Sequence, residues 1–171
     1  MGIEMINSND KMKAISKNLL IERGVTIKDI AEIVYDLQKK YIPSIKHKDC
    51  IDAIERVLDK REVQNAILTG IELDRLAEEN KLSEPLETLI NGDNPLYGID
   101  EILVLSIVNV YGSIGFTNFG YVDKLKPGII GKLDEEGKKP NKCNTFLDDI
   151  IGAIAAAAAS SIAHNFEDKK E

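Results

Sequence analysis

The stretch FLDDIIGAIAAAAASSIA, residues 146–163, decides the fold of this chain. Its part from 150 to 163 is the longest apolar run and holds five consecutive alanines. The run is shorter than the roughly twenty residues that a membrane span requires, and a helix that is apolar on every side has to be surrounded by protein. We therefore expect an all-α fold. It would be a single multihelical domain over residues 1–171, in which a central Ala/Gly-rich C-terminal helix (146–165) is surrounded by the other helices.

The first half of the chain shows the apolar spacing of amphipathic helices. Thr26 is placed to cap a helix whose apolar stripe runs to Leu37. Similar stripes follow in residues 47–58 and 63–76, with a break near Lys60. These stripes predict helices that pack around the C-terminal one.

The second half is less regular. Residues 99–111 are apolar and rich in β-branched side chains, but the run is long and lacks alternation, which favours helix over strand. We expect the three glycines that follow to interrupt regular secondary structure: Gly112, Gly115 and Gly120. Residues 131–144 are expected to form a mobile polar loop, and residues 167–171 a charged tail.

Charge, apolar stretches and cysteine spacing narrow the classes of function that are open to this chain. The chain has 29 acidic and 22 basic residues and a formal charge of -7. No basic patch of the kind that nucleic-acid binding requires is present. Residues 1–20 contain no continuous apolar stretch of a signal peptide, so we expect a cytoplasmic protein. Cys50 and Cys143 lie far apart and in no metal-binding spacing, which indicates reduced thiols. Leftover apolar surface would favour a homo-oligomer.

Three acidic groups stand at the edges of apolar segments: Asp100-Glu101, Asp123 and Asp148-Asp149. Hard cations such as Mg²⁺ prefer carboxylate oxygens, and a bound cation would overcome the repulsion between an acidic protein and a phosphate. Lys126 follows Asp123 by three residues and can lie on the same helical face, where it would steady a phosphate. These residue types therefore allow a metal-dependent phosphate site.

Each acidic group also has a structural interpretation. Residues 145–148 form a capping-box pattern that would place Asp148 at a helix start for stability alone. Asp100 and Glu101 can likewise be the first residues of a helix that follows Gly98. Asp123 and Lys126 can be a solvated pair on a helix surface. The residue pattern alone leaves both interpretations open.

The three acidic segments resemble the motifs of a known family. They read IDE at 99–101, VDKLKP at 122–127 and FLDDIIGA at 146–153. In this order they are similar to the three acidic motifs of the phosphatidylglycerophosphatase A family, and the chain resembles its soluble YutG-like branch. The resemblance covers residues 95–164. Gly120 stands where the family pattern has arginine, and Gly152-Ala153 reverses its Ala-Gly order.

The resemblance implies an all-α hydrolase of lipid metabolism, which removes a phosphate from phosphatidylglycerophosphate with Mg²⁺. It implies that Asp100, Glu101, Asp123, Asp148 and Asp149 lie around the metal. Asp123, Asp149 and Lys126 would then act on the phosphate ester. A peripheral contact with a membrane would be compatible with a lipid headgroup as substrate.

Two other classes of function remain open at this point. A non-catalytic helical interaction or regulatory protein derived from the same family would tolerate loss of Asp123. An all-α nucleotide pyrophosphohydrolase also uses carboxylates on helices, but Glu62, Glu72 and Asp74 do not supply its usual acidic spacing.

Overall fold

The computed structural model describes residues 9–167, apart from the side chain of Glu167. All regular secondary structure in this part of the chain is helical, with no β-strand. The expected charged tail lies outside the described residues, apart from the backbone of Glu167, which ends the last helix. A short 3₁₀ turn, Asn109–Tyr111, joins two of the helices. In chain order the α-helices are α1 (Asn9–Glu22), α2 (Ile27–Gln38), α3 (His47–Leu58), α4 (Arg61–Glu78), α5 (Leu86–Asn91), α6 (Ile99–Val108), α7 (Gly112–Leu125), α8 (Ile129–Gly137) and α9 (Leu147–Glu167).

Helix α9 lies at the centre of the molecule. It contacts α2, α3, α4, α6, α7 and α8, and every side chain from Ala153 to Ala159 is fully buried. Alanine side chains keep the radius of α9 small, so the surrounding helices approach its axis closely. The expected all-α fold with a central Ala/Gly-rich helix is confirmed.

Local signals set the starts of the surrounding helices. Thr26 caps α2 through a reciprocal capping box with Asp29, in which each side chain accepts a hydrogen bond from the other residue's backbone. The break near Lys60 separates α3 from α4, as expected. Gly70 does not interrupt α4, because its missing side chain makes room for Ile150 of α9.

Two expectations for the second half were wrong. Gly115 and Gly120 lie inside the continuous helix α7, and only Gly112 (φ +68°) turns the chain. Gly115 is required because a Cβ there would lie 3.0 Å from the carbonyl oxygen of Val108. The predicted loop 131–144 begins instead as part of α8, because Ile130 and Leu133 give that helix a buried face.

The turn at Gly112 makes a hairpin of α6 and α7. Residues 99–125 and 147–166 are both long and apolar enough to cross a membrane by length and composition alone, although the apolar run 150–163 by itself is too short for a span. The second is mostly buried, as befits the core helix of a globular protein. The first bends at Gly112 and is mostly exposed.

Candidate functional site

Lys126 joins the end of α7 to the start of α9. Its backbone adopts the left-handed conformation (φ +47°) that ends α7. Its Nζ atom donates to Asp148 Oδ2 at 2.7 Å and to Asp123 Oδ1 at 3.2 Å. Lys126 therefore neutralises two carboxylates that are 25 residues apart in sequence.

The two aspartates at the start of α9 are both only 5% exposed. Burial raises the pKa of Asp148 to about 6, although Lys126 opposes the shift. Burial, together with the negative charges of Asp148, Asp100 and Asp123, raises the pKa of Asp149 to about 10. Burial disfavours the charge of Lys126, yet these neighbouring carboxylates, Asp148 first, hold the pKa of Lys126 above its usual value. The pair thus stands in a negative field that one lysine offsets only in part.

The hairpin brings the first acidic motif to the same place. Asp100 and Glu101 lie in the first turn of α6, and Asp123 lies in the last turn of α7, which runs back alongside it. Partial burial and then the negative charges of Asp123 and Asp100 raise the pKa of Glu101. The structure therefore brings together all the residues that the sequence proposed: Asp100, Glu101, Asp123, Lys126, Asp148 and Asp149.

A buried carboxylate, Asp74 of α4, holds the start of α9 in position. Asp74 is fully buried and accepts hydrogen bonds from the backbone N–H groups of Phe146 (3.0 Å) and Leu147 (2.9 Å). Burial raises the pKa of Asp74 to about 7, and these backbone bonds oppose the shift. The predicted capping box was wrong, because the Thr145 hydroxyl donates to the Ile90 carbonyl instead and Asp74 occupies the capping role.

Arg23 fixes the segment that leads into α9. Its guanidinium donates to the Cys143 carbonyl at 2.6 Å and to Asn144 Oδ1 at 2.9 Å, and it forms a two-pronged ion pair with Glu78. Glu78 in turn accepts from the Cys143 N–H at 2.9 Å. The residues before Asp148 are thus held from both sides, which limits how far the two aspartates can move.

A cavity of about 540 Å³ opens beside Asp148. Its walls are polar and come from the ends of α4, α5 and α8 and from the segment before α9, with Asn80, Asp93, Lys139, Lys142 and Asn144 among them. Desolvation and then the nearby Asp100 raise the pKa of Asp93. Its size is in the range of small-molecule sites, so the acidic cluster adjoins a space in which a polar group can lie.

Sequence reasoning missed Asp74 and Asp93. Asp74 carries a detectable signal, because it continues the buried stripe of Ile67, Gly70, Ile71 and Ala77 along α4, where an acid is unusual. Asp93 lies in the turn between α5 and α6, and nothing in the sequence indicates that this turn faces Asp100.

The carboxylate cluster fits a divalent cation by its chemistry. Carboxylate oxygens are the ligands that Mg²⁺ prefers. No hydrogen bond or ion pair from the described residues reaches the Asp149 carboxylate, and burial, followed by the negative charges of Asp148 and Asp100, raises its pKa. As the described side chains stand, however, no three acidic, imidazole or thiol groups enclose an ion. Lys126 Nζ lies between Asp123 and Asp148, so a cation would need this lysine to move aside.

The fold and the site define a helical protein in which acids from three separate segments converge beside one lysine at the start of a central helix. A family model, phosphatidylglycerophosphatase A, matches residues 19–164. The chain belongs to the phosphatidylglycerophosphatase A family.

Its relatives place it in the branch of that family that includes YutG and YpjQ. It is 59% identical to the Bacillus subtilis protein YutG over 154 residues, which are 90% of this chain and 92% of YutG. The crystal structure of YpjQ from Bacillus subtilis matches with a TM-score of 0.89 at 56% identity, covering 94% of this chain and 98% of that one. The low temperature requirement C protein of Listeria monocytogenes matches with a TM-score of 0.88 at 58% identity, covering 91% and 97%.

Proposed function

We propose that this protein is a metal-dependent phosphatase that cleaves a phosphate monoester. By its family, the substrate is phosphatidylglycerophosphate and the product phosphatidylglycerol. The observation that carries the proposal is the ion pairing of Lys126 with Asp123 and Asp148, next to a polar cavity. Asp149, Asp100 and Glu101 lie near enough for their negative charges to affect one another's pKa or that of this pair.

The acids and the lysine take different roles. Asp148, Asp149 and Asp123, with Asp100 and Glu101, would hold Mg²⁺. When bound, this ion polarises a phosphoryl oxygen and makes a water molecule more acidic. Lys126 then leaves Asp148 and donates to the phosphate instead. Its long, flexible side chain and rotatable N–H donors allow this change of partner. Asp123 or Asp149 accepts the proton of the attacking water.

The cavity beside Asp148 provides room for the part of the substrate that bears the phosphate. Its polar walls suit a glycerol-like group better than an acyl chain. The substrate's apolar part would then remain outside this cavity. This arrangement suits a phosphate at the end of a polar headgroup.

The test is phosphate release from phosphatidylglycerophosphate in detergent micelles, with Mg²⁺ and with a chelator. We expect Asp149→Asn to lower turnover at least about 100-fold, because it removes a charge on which the reaction depends. Asp36→Asn is the matched control, since Asp36 is an exposed acid that pairs with Lys39 on α2.

Two results would count against the proposal. Unchanged turnover in Asp149→Asn would remove the role of this site, and absence of any Mg²⁺-dependent phosphate release by the unmodified protein would favour a non-catalytic interaction protein. Glycerol 3-phosphate assayed in parallel separates the lipid substrate from a soluble ester: faster turnover of the soluble ester would retain the phosphatase and reject the lipid.

A further inference from the structure

All the lysines that line the cavity beside Asp148 belong to one short segment. This segment follows α8, covers residues 138–142 and reads KKPNK. Residues 82–123, which include α5, α6 and most of α7, contain no lysine or arginine. In a chain with a formal charge of -7, the segment 138–142 is therefore the part of the cavity wall that can attract an anion.

A tight turn holds two of these lysines close together. The backbone N–H of Lys142 donates to the carbonyl of Lys139 at 3.2 Å. Pro140 and Asn141 lie between them, and Asn141 has a positive φ of +60°. These are the features of a type II β-turn, whose first and last Cα atoms lie less than about 7 Å apart. The next residue, Cys143, is tied to the body of the protein by two hydrogen bonds, which fix the turn in place.

The described part of the chain leaves both lysines of the turn without an ionic partner. Lys138 forms an ion pair with Asp134 at 2.6 Å, whereas no acidic side chain pairs with Lys139 or Lys142. Glu78 also lines the cavity, but its carboxylate is already engaged in a two-pronged ion pair. Two positive charges that a turn keeps close together repel each other, and an anion bound between them removes this repulsion.

The segment 138–142 lies near the acidic cluster as well as beside the cavity. Burial raises the pKa of Asp93, and Lys126 and Lys138 both oppose this rise. Asp93 is therefore within electrostatic reach of the lysine of the acidic cluster and of the lysine that precedes the turn. A ligand in the cavity can thus have one anionic group at the acidic cluster and another at the turn.

The substrate proposed above has two phosphates. The terminal phosphate is a monoester, and a diester phosphate joins the same glycerol unit to the acylated one. We propose that Lys139 and Lys142 bind the diester phosphate while the monoester lies at the acidic cluster, so that the site prefers phosphate monoesters that carry a second anionic group. This assignment rests on the proposed phosphatase activity and adds the residues that set its substrate preference.

Binding of glycerophosphoglycerol, which has the diester phosphate but no monoester, tests the two lysines without catalysis. In a titration followed by two-dimensional NMR of the amide groups, we expect the backbone signals of Lys139 and Lys142 to shift. Lys139→Gln combined with Lys142→Gln should weaken binding at least about fivefold, because two exposed charge pairs are lost. Lys28→Gln combined with Lys48→Gln is the control, since it makes the same change in net charge at exposed positions of α2 and α3.

Turnover of two soluble substrates tests the preference for a second anionic group. Glycerophosphoglycerophosphate, the deacylated headgroup, has both phosphates, whereas glycerol 3-phosphate has only one. We expect the double variant at Lys139 and Lys142 to lower kcat/KM for the deacylated headgroup at least about fivefold more than kcat/KM for glycerol 3-phosphate. Because neither substrate has an acyl chain, attraction of the lysines to an anionic membrane cannot produce this difference.

The proposal fails if glycerophosphoglycerol leaves the amide signals of residues 139–142 unchanged, or if the double variant binds it as well as the control does. Equal losses of kcat/KM for the two substrates would also reject it. Each of these results leaves the phosphatase activity in place. In contrast, a protein that binds the diester through these lysines but releases no phosphate from either substrate would retain the anion site and contradict the proposed function.

Discussion

Lys126 is the residue on which the electrostatics of the site depend. Replacing it with methionine retains much of the side-chain volume but leaves the buried carboxylate of Asp148 without a cation. We expect Lys126→Met to lower the free energy of unfolding by about 1–3 kcal/mol in the absence of divalent ions. Mg²⁺ should then stabilise this variant more than the unmodified protein, because in the variant the ion does not compete with a lysine for Asp123 and Asp148.

Thermal unfolding with and without Mg²⁺ measures both effects. Lys124→Met is the control, since Lys124 is exposed and lies two residues away on the same helix. Equal losses in the two variants would show that the ion pairs of Lys126 with Asp123 and Asp148 contribute nothing specific.

Asp74 shows how a residue outside the acidic cluster positions it. Asp74→Asn replaces one carboxylate oxygen with an amide NH₂ group, which cannot accept a bond from Phe146 or Leu147. We expect a loss of about 1–3 kcal/mol in unfolding free energy, because a buried backbone donor is left unpaired. Urea unfolding near pH 4, well below the pKa of about 7, measures it where Asp74 is protonated in the folded protein, so that removal of a buried charge does not offset the loss. Glu72→Gln, an exposed change on the same helix, should cost far less, and equal costs would contradict this role.

The sequence predicts the acidic residues of the site better than the residues that hold them in position. Asp100, Glu101, Asp123, Asp148 and Asp149 stand out because their motifs occur in a fixed order beside apolar segments. The hydrogen bonds of Asp74 join positions 72 and 73 residues apart. A local pattern therefore pointed to Thr145 as the cap, and only the packing of α4 on α9 reveals Asp74 in that role.

At the scale of the elements, Gly70 sets how closely α4 approaches α9. A Cβ at this position would lie 2.5 Å from Ile150 Cδ1 and 3.1 Å from Phe146 Cβ. Gly70→Val should therefore lower the unfolding free energy by about 1–3 kcal/mol through overpacking, despite the better helix propensity of valine. Chemical denaturation measures the effect.

Thr69→Val is the matched control, because Thr69 is the exposed neighbour on the same helix. Little change is expected there. A Gly70→Val variant as stable as the control would mean that α4 and α9 have room between them that the distances above exclude.

The amphipathic helices and the apolar helix α6 could be predicted, whereas helix α7 could not. The stripes of α2, α3 and α4 have one polar and one apolar face, so their periodicity shows both the helix and its buried side. Helix α7 contains three glycines, Gly112 included, and few charged residues, so it lacks that contrast and was predicted as an irregular segment. Its packing against α9 stabilises a helix that its composition does not favour.

At the scale of the whole molecule, the central helix α9 and the α6–α7 hairpin differ in how much of their apolar surface the rest of the protein covers. Both are apolar, yet α9 is enclosed and the α6–α7 hairpin is not. Sequence reasoning identified the buried helix from its alanines, and it expected an oligomer from leftover apolar surface. It could not locate that surface, because which of two apolar segments is covered depends on how all the helices pack.

The convergence of the three acidic segments is the central claim, and binding of Mn²⁺ in place of Mg²⁺, followed by electron paramagnetic resonance, tests it most directly. We expect one bound Mn²⁺ per chain. Asp123→Asn on α7 and Asp149→Asn on α9 should each lower the affinity at least tenfold, whereas Asp36→Asn should leave it unchanged. Binding of Mn²⁺ with equal affinity by all three variants and the unmodified protein would contradict a shared site formed by these segments.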